Sequence, residues 1–108
     1  MQLDELRDQI ALHFALEEAY GYFNDPQHET PHLDELAAQL RDEHQEIYFL
    51  INTLADDAQD ARCHRWPHES LTALCDVFLD FARRLDLHES QENELIFCIY
   101  DEDLGVGD

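Results

Sequence analysis

The 108-residue chain carries 26 acidic residues against 6 basic ones, a formal net charge of −20, with 44% hydrophobic residues. That length fits one domain, residues 1–108, with a modest core, and the hydrophobic share supports a folded protein. The charge repels a phosphate backbone, and no apolar run approaches about 20 residues, so neither nucleic acid nor membrane is an expected partner. Met1-Gln2-Leu3-Asp4-Glu5 reads as the start of an acidic helix, lacking the basic and then apolar run of a signal peptide, so the expected compartment is the cytoplasm.

In the first segment Leu3, Leu6, Ile10, His13, Glu17 and Tyr20 step by three and four, the inward seam of a bundle helix. The spacing predicts a helix from Leu3 to Phe23, stopped by Asn24-Asp25-Pro26. In the second segment Leu33, Ala37, Leu40, His44, Ile47, Ile51 and Leu54 repeat the pattern, with Tyr48 one turn after the histidine. Pro31 suits the entry of this helix, which is expected to run from Leu33 to Asp57, followed by a loop over Gln59 to Pro67. A third helix is expected from His68–Ser70 to Tyr100, on the stripe Leu71, Leu74, Phe78, Phe81, Leu85, His88, Glu92, Leu95 and Ile99. No strand alternation and no internal repeat is evident, so the fold class is all-α: an antiparallel bundle of three long helices.

Three histidines therefore stand where the pattern calls for leucine. His13 and His88 each have a glutamate four residues on, Glu17 and Glu92, and residues one turn apart share a helix face. Buried Glu is rare unless paired, so two such pairs plus His44 imply a cation between them, and the mixed imidazole and carboxylate donors suit a transition metal. Register is the test: His13 and His44 are level to within roughly 2 Å, whereas His44 and His88 are mismatched by roughly 8 to 10 Å on the expected helix ends. Tyr20 and Tyr48 are read as neighbours of the site, able to orient a ligand or a bound oxygen species.

Cys63, Cys75 and Cys98 are odd in number and lack C-x-x-C spacing. Cys75, beside Leu74 and Phe78, reads as a small buried hydrophobe. His28, His32, His64 and His68 read as loop surface. No G-x-S-x-G, phosphate-binding loop or Cys/His dyad is present, which disfavours nucleotide enzymes and hydrolases.

The stretches His13-Phe14-Ala15-Leu16-Glu17-Glu18, Asp42-Glu43-His44 and Leu87-His88-Glu89-Ser90-Gln91-Glu92-Asn93-Glu94 resemble the later three helices of hemerythrin-like, or HHE cation-binding, proteins. The resemblance implies a helical bundle holding a pair of non-haem iron ions, with His13, His44 and His88 as nitrogen ligands and Glu17 and Glu92 as bridges. It also implies departures. The family's first helix, with its own histidine, is not seen, and Tyr48 stands where a further histidine is usual. A complete two-metal centre would then recruit Tyr48, Glu43, Glu18, water or a second chain, and a single ion is the other outcome. A bundle short of one helix would expose Phe14, Leu16, Tyr22, Phe23, Phe49, Leu50 and Phe97, so a homodimer covering that face is expected. The functional expectation is an iron protein that binds or senses dioxygen, peroxide or nitric oxide, with oxidase or peroxidase activity as a variant. The alternative is a metal-free acidic helical module that binds a basic protein.

Overall fold

The computed structural model describes residues 3–20 and 31–103, with side chains over 3–19 and 33–98. Three helices account for nearly all of them: α1 (Leu3–Tyr20), α2 (Pro31–His64) and α3 (His68–Asp103). They make an elongated bundle of 61 × 23 × 20 Å, in which α2 packs against both neighbours. The architecture is all-α, and none of the described helices is long and apolar enough to cross a membrane. The expected end of the first helix at Phe23, the aromatics Tyr22 and Phe23, and His28 lie outside the described residues, as does the side chain of His32.

Helix α2 starts at Pro31, whose fixed φ and missing N–H suit a first helical position. It runs seven residues past the expected Asp57, because Ala58, Gln59, Ala61 and Arg62 are good helix formers and nothing breaks the chain before Pro67. Arg65 then takes a left-handed φ of 50°, the usual way to turn a chain out of a helix, and Leu71 N–H donates to Pro67 O at 3.0 Å in the first turn of α3. The side chain of Asp60 secures the corner, accepting from Trp66 Nε1 at 2.7 Å and lying 2.9 Å from His64 Nδ1. The connection is therefore Arg65–Pro67 alone.

This correction removes the expected register mismatch. His44 precedes His64 by as many residues as His88 follows His68, so the two histidines are level across the turn, with ring centroids 5.1 Å apart.

The core has two apolar clusters. Ile10, Phe14, Ile47, Ile51, Leu54 and Phe81 form one, and Leu33, Ala37, Leu40 and Leu95 the other. On α2 they occupy residues 33–40 and 47–54, and on α3 they are represented by Leu95 and Phe81. Between them sit the buried polar side chains His44, His88 and Glu92. The bundle thus has a polar layer flanked on both sides by hydrocarbon.

Three expectations about packing are corrected. Phe14 is buried, and it occupies the inward position assigned to His13, because Ile10 is followed on the inner face by the residue four on, not three. Cys75 is exposed, and Leu71 is 40% exposed. Arg7 of α1 bonds Asn52 of α2, so α1 reaches its first described residue near Asp56 of its antiparallel neighbour, at an equal rise per residue. Beyond that level, among the described residues, α2 and the start of α3 form a two-helix hairpin.

Candidate metal centre

Each side chain of the polar layer is aimed by its helix. His88 and Glu92, four apart on α3, project from one face, and His88 Nε2 lies 3.3 Å from Glu92 Oε2. His44 of α2 approaches the same oxygen from the facing helix, with Nε2 at 3.4 Å. From α1, Glu17 Oε1 lies 3.5 Å from His44 Nε2 and 3.4 Å from His13 Nε2. Phe14 roofs the layer, stacked on the His44 ring at 3.9 Å between centroids and 7° between planes, and edge-on to His88.

The ring nitrogens facing away from this point are also engaged. His44 Nδ1 lies 3.1 Å from Glu18 Oε2, and His88 Nδ1 lies 2.8 Å from Glu43 Oε1. Glu18 and Glu43, considered from sequence as extra ligands, thus stand behind the histidines. Both are off the three-and-four stripe and meet their partners across helix pairs, so no local spacing announces them.

The five residues proposed from sequence fall into two overlapping groups. His44, His88 and Glu92 offer donor atoms within 4.8 Å of one another, as do His13, Glu17 and Glu92. The first group is buried throughout. The second lies at the rim, with His13 64% exposed in its side chain and Glu17 15%. Glu92 belongs to both. Tyr48 is 40% exposed and lines a cleft of about 270 Å³ between α1 and α2 together with Phe14, Glu18 and His44. The side chain of Tyr20 lies outside the described residues.

Electrostatics set the two glutamates apart. Burial, reinforced by the neighbouring Glu92, pushes the Glu17 carboxyl up to about 8. Burial also works upward on Glu92, but His44 and His88 outweigh it and hold that carboxyl well below the usual range. Burial lowers His88, yet Glu92 and Glu43 together keep its pKa above the ordinary value. Glu43 is held low against its own partial burial by His88 and Gln39.

Two atoms test whether a cation fits. Glu17 Oε1 and His88 Nε2 are buried and have no hydrogen-bond partner, although both lie within 3.5 Å of opposite-type groups. These contacts are close enough for charge attraction but too poorly aligned to be hydrogen bonds. Buried polar atoms left so cost about 1–3 kcal/mol each. Bonds of about 2.0–2.2 Å place ligand atoms no more than about 4.4 Å apart, and the separations of 3.3 and 3.4 Å fit inside that limit. The donor set and its spacing fit a metal ion.

Against known families, the model described as hemerythrin HHE cation binding domain matches residues 1–100. The chain belongs to the hemerythrin HHE cation-binding family. Searches of curated proteins and of solved structures gave no match. Membership makes this a cation-binding domain, and the His/Glu layer is where its described residues bring metal-type donors together. The hemerythrin domain also has an opening toward that layer: a cleft of about 290 Å³ between α1 and α3, lined by Leu6, Gln9, Ile10, His13, Phe14, Leu85, Glu89 and Glu92.

Proposed function

We propose that this single domain holds iron through His13, Glu17, His44, His88 and Glu92, and binds or senses dioxygen or a related small oxidant such as peroxide or nitric oxide. The observation that carries the reading is the pair of buried, unsatisfied atoms Glu17 Oε1 and His88 Nε2, each in a cluster of donors that includes Glu92. A metal-free interaction module has no use for them, since apolar replacements would cost less. Imidazole and carboxylate donors suit iron in both common oxidation states. When bound, iron supplies one-electron redox chemistry and open coordination positions for a small ligand.

The residues of the chain supply the rest. His44, His88 and Glu92 form an inner set sealed by Phe14, and His13 and Glu17 form an outer set that shares Glu92. Two ions, one in each set, is the favoured stoichiometry. The cleft between α1 and α3 admits a small molecule to the layer from the side of His13.

Two further parts of the proposal concern context. Leu12, Leu16, Phe49 and Phe97 are at least half exposed, which supports a homodimer that covers part of this apolar surface. All three cysteines are free, which supports a reducing compartment such as the cytoplasm.

The test is direct. Protein purified aerobically or reconstituted with Fe(II) is expected to contain stoichiometric iron and near-ultraviolet charge-transfer absorption, lost in His88→Ala and Glu92→Ala. Metal analysis showing none after reconstitution rejects the iron reading, and a monomeric mass at micromolar protein rejects the dimer.

A further inference from the structure

We propose that Glu43 and Glu18 are positioning residues that, in the metal-bound domain, fix the proton of His88 and His44 on Nδ1, leaving each Nε2 lone pair for a metal ion shared with Glu92. The inference rests on the metal-binding reading above and assigns the residues that prepare its nitrogen donors.

An ionised carboxylate only accepts hydrogen bonds, so a glutamate set against Nδ1 requires the N–H to be there. A neutral imidazole carries a single N–H, and the other nitrogen is then a bare donor. The two ring nitrogens diverge, so a carboxylate behind Nδ1 cannot share an ion with Nε2 of the same ring. This geometry separates Glu43 and Glu18 from the ligand set: Glu43 Oε1 is 2.8 Å from His88 Nδ1, and Glu18 Oε2 is 3.1 Å from His44 Nδ1.

Each positioning residue is itself held. Gln39, one turn before Glu43 on α2, donates Nε2–H to Glu43 Oε2 at 3.1 Å, leaving Oε1 for His88. Arg41 of α2 lies 3.5 Å from Glu18 Oε1, leaving Oε2 for His44. The contacts also cross between helices, α1 to α2 through Glu18–His44 and α2 to α3 through Glu43–His88. Rotation of any helix about its axis would therefore disturb a donor nitrogen along with the packing. Partners of this kind behind metal-bound histidines are worth about 10- to 100-fold in metal affinity.

The experiment uses Zn(II) as a diamagnetic probe, with the full chain as wild type, Glu43→Ala, Glu43→Gln and Glu18→Ala. In zinc-loaded wild type, nitrogen-detected NMR is expected to show His44 and His88 bound through Nε2, each with a slowly exchanging Nδ1–H. Glu43→Ala is expected to weaken zinc binding about 10- to 100-fold and to speed exchange of the His88 proton alone. Glu18→Ala is expected to do the same for His44. Glu43→Gln keeps the shape and an amide oxygen for Nδ1–H, so it guards against a loss of fold: it is expected to recover most of the affinity and the slow exchange. Zinc bound through Nδ1, or affinity unchanged in both alanine variants, overturns the proposal while the metal centre stands. Wild type that binds neither zinc nor iron overturns both.

Discussion

The same local sequence pattern, histidine with glutamate four residues on, occurs at His13–Glu17 and at His88–Glu92, and the two copies meet very different surroundings. His88 is 1% exposed and has both ring nitrogens close to carboxylates, whereas His13 is 64% exposed and lies near Glu17 through one nitrogen. Spacing on one helix sets which way two side chains point, but the depth of the site comes from the facing helices. His88 of the α3 pair lies edge-on to Phe14 and His44, while His13 of the α1 pair, 64% exposed, lines the α1–α3 cleft. An ion held by the buried set should therefore exchange slowly, and one at the rim quickly.

The sharpest way to break that comparison is to remove one histidine from each set. His44→Ala is expected to cost more than the about 100-fold that bounds the loss of an outer partner, and to abolish tight binding altogether. His13→Ala is expected to lower stoichiometry from two ions to one while leaving the remaining ion slow to leave for a chelator. Iron-per-chain measurements with timed chelation read both, and equal losses in the two variants would erase the distinction between the sets.

A smaller effect should appear in the metal-free protein as pH changes. The Glu17 carboxyl has a folded pKa of about 8 against an ordinary 4.5, so between those values the folded state binds more protons than the unfolded state. Stability then falls as pH rises through that window, by at most about 1.4 kcal/mol per pH unit for one proton, and levels off above it. His88, also raised, adds to the fall above its ordinary value of 6.5, whereas the lowered Glu92 and Glu43 act at the acidic end, where their contribution is lost as pH drops below 4.5. Melting curves in chelator should show the decline between pH 5 and 8, and Glu17→Gln should flatten it. A bound cation replaces the proton, so metal should stabilise the domain more at pH 8 than at pH 6. No decline in wild type would mean that Glu17 is hydrated in solution.

The smallest effect marks the other end of the molecule. Cys75→Ser is expected to shift stability by no more than about 0.5 kcal/mol, because the residue is exposed on the two-helix hairpin. Phe81→Ala, in the cluster beside the polar layer, should cost about 3–5 kcal/mol. Urea unfolding of both variants measures the contrast, and a large loss in Cys75→Ser would mean that this hairpin is covered in solution.

The helices and the histidine positions on α2 and α3 were legible in the sequence because the stripes there are long and the polar breaks few. His44 is flanked by Leu40 and Ile47 on one stripe, and both neighbours are fully buried. On the shorter α1 the steps from Ile10 to His13 and to Phe14 are equally helical, and only the facing side chains settle that Phe14 goes inward. The length of α2 was misread because its last two turns are polar, and periodicity cannot follow a helix that has no apolar face. Glu18 and Glu43 were named from the sequence as extra ligands, but their place behind the histidines was out of reach: their partners are on other helices, and sequence spacing carries no information across a helix pair until the register is known.

The equal distances of His44 and His88 from the Arg65–Pro67 turn restrict how the chain can change in length. One inserted residue in either arm would swing everything beyond it by about 100° around the helix axis and slide it by about 1.5 Å. A lone insertion or deletion between these histidines would thus uncouple the donors even if every helix still formed. Lengthening remains compatible with the centre only when both arms grow together and by whole heptads, so the hairpin behaves as a ruler graduated in steps of about 10 Å.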